Sequence, residues 1–279
     1  MKDLFSYEGK RVLVGGCASG IGAATAQGAL ELGATVVGLD VVEPTVALDD
    51  FVAADLGDYA AVRRALTALD NPFDAVFLCS GISDGKGLGG EQVITINFIG
   101  TRELLDGLSP NMAPGAAIGL IASLAAVDVA ERWDEVGDFL AQPTWEAAVQ
   151  WCRSHEHLLA PGEAYPFSKL AITGYVLRNA APLARRGIRI NCISPSPVLT
   201  PFLNDTKRMP GAEEALARFP IPLGRHSEPE EQAAVLLFLG SAAASFVTGQ
   251  NVWTDGGYTA AVTAGDAAPV VGRQASKAS

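Results

Sequence analysis

The sequence predicts an α/β fold, a single doubly wound parallel sheet of seven strands. Three observations carry this expectation. Short β-rich runs alternate with Ala- and Leu-rich runs at helical spacing, the pattern of a parallel sheet covered by helices on both faces. A glycine-rich turn joins the first strand to the first helix. The 279 residues are 49% hydrophobic and include 30 glycines, which suits one large core with tight strand-to-helix turns and excludes a disordered chain.

Taken in order, residues 11–15 form the first strand, and 23–32 the helix that follows the glycine turn. The second and third strands are 35–39 and 51–54, and the helix 58–69 leads back to the fourth strand, 74–79. A helix over 91–108 precedes the fifth strand, 116–121, and one over 167–185 precedes the sixth, 188–193. Ser227-Glu228-Pro229-Glu230 opens the last large helix with a capping-box pattern, ahead of the seventh strand at 250–253.

Two segments interrupt this rhythm. Residues 125–163 place Trp133, Phe139, Trp145 and Trp151 among acids, with Pro143 between two short helical stretches, and read as an insertion. Residues 194–225 are rich in Pro and apolar side chains and too long for an ordinary connection, so they are expected to cover a binding site. One domain is expected over 1–262, with a flexible tail over 263–279.

A net charge of −11 and a pI near 4.7 argue against a nucleic-acid partner, which requires clustered Lys and Arg. No apolar run reaches the length of a membrane span and no secretory signal is evident, so a cytoplasmic chain is expected. Cys17, Cys79, Cys152 and Cys192 are scattered and read as buried thiols rather than a disulfide framework. Cys152, His155 and His157 lack a fourth ligand, so no metal site is expected.

Gly16-Cys17-Ala18-Ser19-Gly20-Ile21-Gly22 follows the first strand and opens a helix. Glycines there allow a tight turn and let backbone approach a pyrophosphate lying on the helix N-terminus. Asp40 closes the second strand about 18 residues later, where a carboxylate accepts from both adenosine ribose hydroxyls and repels a 2′-phosphate. No Lys or Arg stands in the turn or just after Asp40, so NAD is expected over NADP. Asp55 is either a second contact near the adenine or the cap of the following turn.

Tyr165 and Lys169 stand four residues apart and share one helical face, where an ammonium can favour the ionised form of a phenol. Ser123 lies about 42 residues earlier, at the end of a strand. A phenol so placed can serve as acid and base.

These motifs, in this order from Gly9 to about Tyr258, resemble the short-chain dehydrogenases/reductases. The resemblance implies a Rossmann-type fold and a nicotinamide-dependent oxidoreductase. It implies a catalytic tetrad of Asn97, Ser123, Tyr165 and Lys169: Tyr165 exchanges the substrate's hydroxyl proton, Lys169 lowers the phenol pKa and holds the ribose, Ser123 binds the alkoxide-like oxygen, and Asn97 anchors a water. Asp55-Leu56 matches the adenine-side pair, and Asn191 to Pro195 with Val198 and Thr200 resembles the segment flanking the nicotinamide. Asp255-Gly256-Gly257 matches the closing motif.

There are departures. Leu78-Cys79-Ser80-Gly81 stands where many members have Asn-Asn-Ala-Gly, although Gly81 keeps the close backbone approach. Pro195-Ser196 replaces Pro-Gly. Pro166 disfavours helical geometry at Tyr165, which should therefore sit at the helix mouth.

The long Ser-to-Tyr separation, the Gly-Cys-Ala-x-Gly-Ile-Gly turn and Leu-Cys-x-Gly resemble the bacterial hydroxysteroid dehydrogenase/carbonyl reductase branch of this family. That implies a hydrophobic secondary alcohol or its ketone as substrate, first a 3α-hydroxysteroid. Another bulky terpenoid or aromatic alcohol is the alternative, and a non-catalytic NAD-binding regulator a more distant one. The apolar insertion either lines the pocket or packs against a second subunit, since the helices of Asn97 and Tyr165 often form the family's dimer contact. A homodimer or homotetramer is expected.

Overall fold

The computed structural model describes residues 3–69 and 72–271. Its strands are β1 (Arg11–Gly15), β2 (Thr35–Asp40), β3 (Asp50–Ala53), β4 (Ala75–Leu78), β5 (Ala117–Ile121), β6 (Arg189–Pro195) and β7 (Asn251–Thr254). They form one seven-stranded sheet in the order β3-β2-β1-β4-β5-β6-β7, with every neighbouring pair parallel. The order reverses between β1 and β4, which opens a crevice at the carboxyl ends of the strands, where such sheets bind ligands.

The helices are α1 (Gly20–Glu31), α2 (Tyr59–Ala68), α3 (Gly90–Ile94), α4 (Gly100–Leu108), α5 (Trp133–Leu140), α6 (Trp145–Ser154), α7 (Ala164–Ala184), α8 (Pro201–Thr206), α9 (Ala212–Ala217), α10 (Pro229–Gly240) and α11 (Tyr258–Ala264). Alternation along β1 divides the core. Val12 and Val14 pack with Ala26, Leu236 and Leu237 of α1 and α10, whereas Leu13 joins Val62, Leu104 and Leu170 beneath α2, α4 and α7.

The helix expected over 91–108 is not uniform. A π-helical stretch, Thr95–Ile99, separates α3 from α4 and carries Asn97. The capping box of α10 is also displaced by one residue. Pro229 occupies the first helical turn, Glu228 is the cap, and the Glu231 carboxylate accepts from the Glu228 N–H at 2.9 Å.

The insertion folds as α5 and α6, separated by Pro143. Fully buried Phe139 lies 5.3 Å from Phe98, 4.9 Å from Trp151 and 5.2 Å from Phe167, ring centre to ring centre. Helix α5 approaches α7 so closely at Gly174 that a Cβ there would meet Val136 Cγ1 at 2.5 Å. Arg153 of α6 donates twice to the Glu91 carboxylate, at 2.7 and 2.8 Å. Arg102 of α4 donates to the carbonyls of Gln142 and Thr144. The insertion thus lies across the helices that carry Asn97 and Tyr165, so this chain itself covers much of that face.

Helix α11 extends past residue 263, and the Val270 N–H donates to Tyr258 Oη at 2.7 Å. The remainder of the expected tail, 272–279, lies outside the described residues. Among the described residues no helix is long and apolar enough to cross a membrane.

Candidate active site

The glycine turn leaves β1 and enters α1 with Ser19 at the cap position. Gly22 is required by its surroundings: a Cβ there would meet the Gly16 carbonyl oxygen at 2.0 Å. Gly16 has φ +76 and lies against the Ser80 backbone, so a side chain is disfavoured by both conformation and space. Ser19 makes no side-chain cap bond, although it stands at the N-terminus of a twelve-residue helix. Asp40 ends β2 beside this turn, and its carboxylate accepts from the Ala18 N–H at 3.0 Å and the Val41 N–H at 2.7 Å. Cys17 is buried next to it, where burial and the Asp40 charge push the thiol up to about 11.

The other side of the turn is formed by the 194–225 segment. Thr200 at the start of α8 comes so close that a Cβ on Gly20 would lie 3.1 Å from its Cγ2. Pro195 ends β6, and Val198 is a buried residue of the same segment. Asp55 accepts from the Gly57 N–H at 2.7 Å and so closes its local turn, while Asp58 caps α2. The Leu56 side chain is buried in the core. Any ligand contact at Leu56 is therefore made by its backbone. The narrow glycine cradle, the strand-end carboxylate and the uncommitted Ser19 hydroxyl fit an adenine dinucleotide.

The four tetrad positions converge at the carboxyl ends of β4 and β5. Ser123 follows β5, and its Oγ accepts from the Ala125 N–H at 3.2 Å, which leaves the hydroxyl proton free to donate. The Ser123 hydroxyl stands beside the Tyr165 phenol and favours its ionised form. Lys169 lies one turn along α7, only 3% exposed, with Nζ 5.6 Å from the Tyr165 ring centre. Asn97 is fully buried. Its amide donates to the Ile82 carbonyl at 2.9 Å and to Ser168 Oγ at 3.1 Å, and accepts from the Ile82 N–H at 2.8 Å. Gly81 provides the space between them, since a Cβ there would stand 3.4 Å from Asn97 Oδ1 and 3.5 Å from Lys169 Nζ. As expected from Pro166, Tyr165 stands at the mouth of α7, its second residue.

Burial dominates the electrostatics. It pulls the Lys169 ammonium down to about 8, partly offset by the Cys79 and Cys192 thiols. It pushes the Tyr165 phenol up to about 12, a rise that the Ser123 hydroxyl opposes and the Asp84 charge reinforces. Set by the protein's own groups, the phenol therefore moves opposite to the direction expected from Lys169. Desolvation of the hydroxyl outweighs what an ammonium itself weakened by burial can contribute.

Two neighbours had no sequence signal. Phe202 of α8 lies 5.5 Å from Tyr165, ring centre to ring centre. Asp84 sits in a Ser-Asp-Gly turn that reads as an ordinary surface turn, and its role depends on residues about 80 positions away. Cys152, His155 and His157 each have other surroundings. Cys152 is buried, His155 stacks on Trp151 at 3.8 Å, and His157 meets Glu135 at 3.0 Å. A cavity of about 810 Å³ walled by Ser196, Ile221, Leu223, Gln232 and Trp253 lies apart from Ser123, Tyr165 and Lys169.

The family described as Enoyl-(Acyl carrier protein) reductase matches residues 152–259. The chain is 33% identical to the 3-alpha-hydroxysteroid dehydrogenase/carbonyl reductase of Comamonas testosteroni, over 89% of this chain and 96% of that protein. It is 30% identical to the coniferyl-alcohol dehydrogenase of Pseudomonas sp. strain HR199, over 89% and 96% respectively. The structure of the 3-alpha-hydroxysteroid dehydrogenase from Pseudomonas sp. B-0831 complexed with NADH superposes with a TM-score of 0.77 at 31% identity, covering 92% of this chain and 99% of that one. With the Ser-Tyr-Lys arrangement assembled at the end of a seven-stranded parallel sheet and such likeness over almost the whole length, the chain belongs to the short-chain dehydrogenase/reductase family.

Proposed function

We propose that the chain is an NAD-dependent oxidoreductase interconverting a hydrophobic secondary alcohol and its ketone, with a 3α-hydroxysteroid as the first candidate. The observation that carries this reading is the Ser123 hydroxyl beside the Tyr165 phenol, with Lys169 one turn away. A bound nicotinamide supplies the hydride chemistry. Tyr165 Oη takes the alcohol's proton and returns it in the reverse direction, as general base and acid. Ser123, its oxygen already engaged by the Ala125 N–H, donates its proton to the oxygen where negative charge develops. Lys169 places positive charge beside the phenol. Asn97 and Gly81 keep that buried corner open and rigid.

NAD is favoured by the Asp40 carboxylate at the end of β2. The steroid reading is supported by the two hydroxysteroid relatives and by apolar Phe202 over Tyr165. An aromatic alcohol is the second reading, favoured by the coniferyl-alcohol relative. Assays of the purified chain with NAD⁺ and NADP⁺ on 3α-hydroxysteroids, coniferyl alcohol and terpenoid alcohols test both. Turnover of the steroid with the highest kcat/KM supports the first reading, and dominance of coniferyl alcohol the second. Absence of turnover across the panel contradicts the reaction class.

Assembly is expected through β7, which is an open edge of the sheet, and α10 beside it. Phe238 and Phe246 are exposed on or next to α10, and an edge strand paired with a second copy is protected from aggregation. Sedimentation at micromolar concentration should give at least a dimer, and a monomer contradicts the assignment.

A further inference from the structure

We propose that Ser168 is a positioning residue of the reaction: it receives the Asn97 amide and gives its own proton to the Tyr165 carbonyl, which sets where the phenol stands against Ser123. The inference rests on the reading of Tyr165 as the acid and base. Tyr165 is the second residue of α7, among the helix amides that have no acceptor one turn back. Pro166 beside it has no N–H, and Glu163 at the cap position makes no side-chain cap bond. The first turn of α7 therefore needs a hold from elsewhere, and the Tyr165 carbonyl is where a side chain takes one.

The direction of each bond in this corner follows from what each group can donate. The Ile82 backbone offers one donor and one acceptor, and the Asn97 side chain meets both. Its Oδ1 accepts from the Ile82 N–H at 2.8 Å, and its Nδ2 donates to the Ile82 carbonyl at 2.9 Å. That pairing determines which way round the amide lies. The second hydrogen on Nδ2 then meets Ser168 Oγ at 3.1 Å, so Ser168 accepts there and keeps one proton to give. It gives that proton to the Tyr165 carbonyl at 2.7 Å. Asn97 and Ser168 are both fully buried, where a bond left unmade costs more than a bond formed contributes.

Consecutive residues of α7 thus tie it to two neighbouring strands of the sheet. Lys169 bonds the Ile121 carbonyl at the end of β5, and Ser168 reaches Ile82, just past β4, by way of Asn97. Of the two ties, that of Ser168 also grips Tyr165 itself. Ser123 is placed by β5 independently of α7, so a drift of the first turn separates phenol from hydroxyl, and a displacement of about 1 Å is enough to cost roughly 10² in rate.

Ser168→Ala removes acceptor and donor together. With whichever of 3α-hydroxysteroid or coniferyl alcohol the chain oxidises, kcat should fall at least about tenfold, while KM for the alcohol and Kd for NADH, read by fluorescence titration, stay within about twofold of wild type. Ser168→Cys keeps the volume but bonds weakly, so it should lose about threefold or more even if the alanine variant does not fold. An unchanged kcat in the folded variants overturns the proposal. So does a parallel loss of kcat, KM and NADH affinity, which marks a role in folding alone. If wild type oxidises neither alcohol, the reading of Tyr165 fails, and urea melts still decide the link. The midpoint shift of the Asn97→Ala, Ser168→Ala pair should be smaller than the sum of the two single shifts, and a shift equal to that sum contradicts the chain of bonds.

Discussion

Lys169 Nζ donates to the Ile121 carbonyl oxygen at 2.9 Å, so the strand that delivers Ser123 also holds the ammonium that serves Tyr165. This buried charge-assisted bond adds to the apolar packing of β5 against α7, where Ile118 and Leu120 share one core with Leu170 and Ile172. The contact ties the position of Lys169 to the strand end that precedes Ser123.

Tyr165→Phe is expected to lower turnover by about 10² to 10⁴ while leaving NAD affinity within about twofold. The ring and its packing on Phe202 persist, and only the hydroxyl is lost. Stopped-flow hydride transfer and NAD titration of the variant give the two numbers. Retention of more than about a tenth of the wild-type rate means that another group moves the proton.

Lys169 should cost stability at neutral pH. Its folded-state value of about 8 lies below the ordinary 10.5, so below about pH 8 it is charged in both states and the fold carries the full desolvation penalty. Between those values only the unfolded chain holds the proton, and stability rises with pH. Lys169→Met should therefore be inactive yet more stable by about 1–3 kcal/mol at pH 7, with the gain shrinking above pH 8. Urea melts across that range measure it.

Asp40→Ala should weaken NAD use and relieve the discrimination against NADP. For wild type, kcat/KM is expected to favour NAD by at least about tenfold, about 1.4 kcal/mol. The variant should also loosen the glycine turn, because the Ala18 N–H loses its acceptor. Equal use of the two cofactors by wild type would be the contrary outcome.

Phe139→Ala removes a fully buried ring in contact with Phe98 of the π-helical stretch, Trp151 of α6 and Phe167 of α7. The expected loss is about 3–5 kcal/mol, because the surrounding aromatics collapse only partly into the space. Gly174→Val, which drives a side chain into Val136, should release α5 by overpacking. Limited proteolysis within 125–163 reports that release.

The fold was legible because its signals are local. Strands, the glycine turn and Pro143 act over a few residues, and β1 to β7 form within two residues of their expected places. Convergence of Asn97, Ser123, Tyr165 and Lys169 was also legible, through motif order. The π-helical turn at Asn97 was not, since nothing in Thr95-Ile96-Asn97-Phe98-Ile99 departs from ordinary helical composition; the reciprocal bonds to Ile82 accompany it. Nor was the burial that reverses the Tyr165 shift, because desolvation depends on chain brought in from β4, β5 and α8. Asp84 was invisible for the same reason. The fate of the insertion needed the Phe139 contacts to be seen.

The meeting of Thr200 and Gly20 bears on the layout of the site. Two residues apart on one short stretch of chain, Thr200 lies against the glycine turn and Phe202 against Tyr165, so the two ends of the site share one wall. A substitution that enlarges residue 20 would therefore be felt at Thr200, at the first residue before α8, as well as in the turn itself.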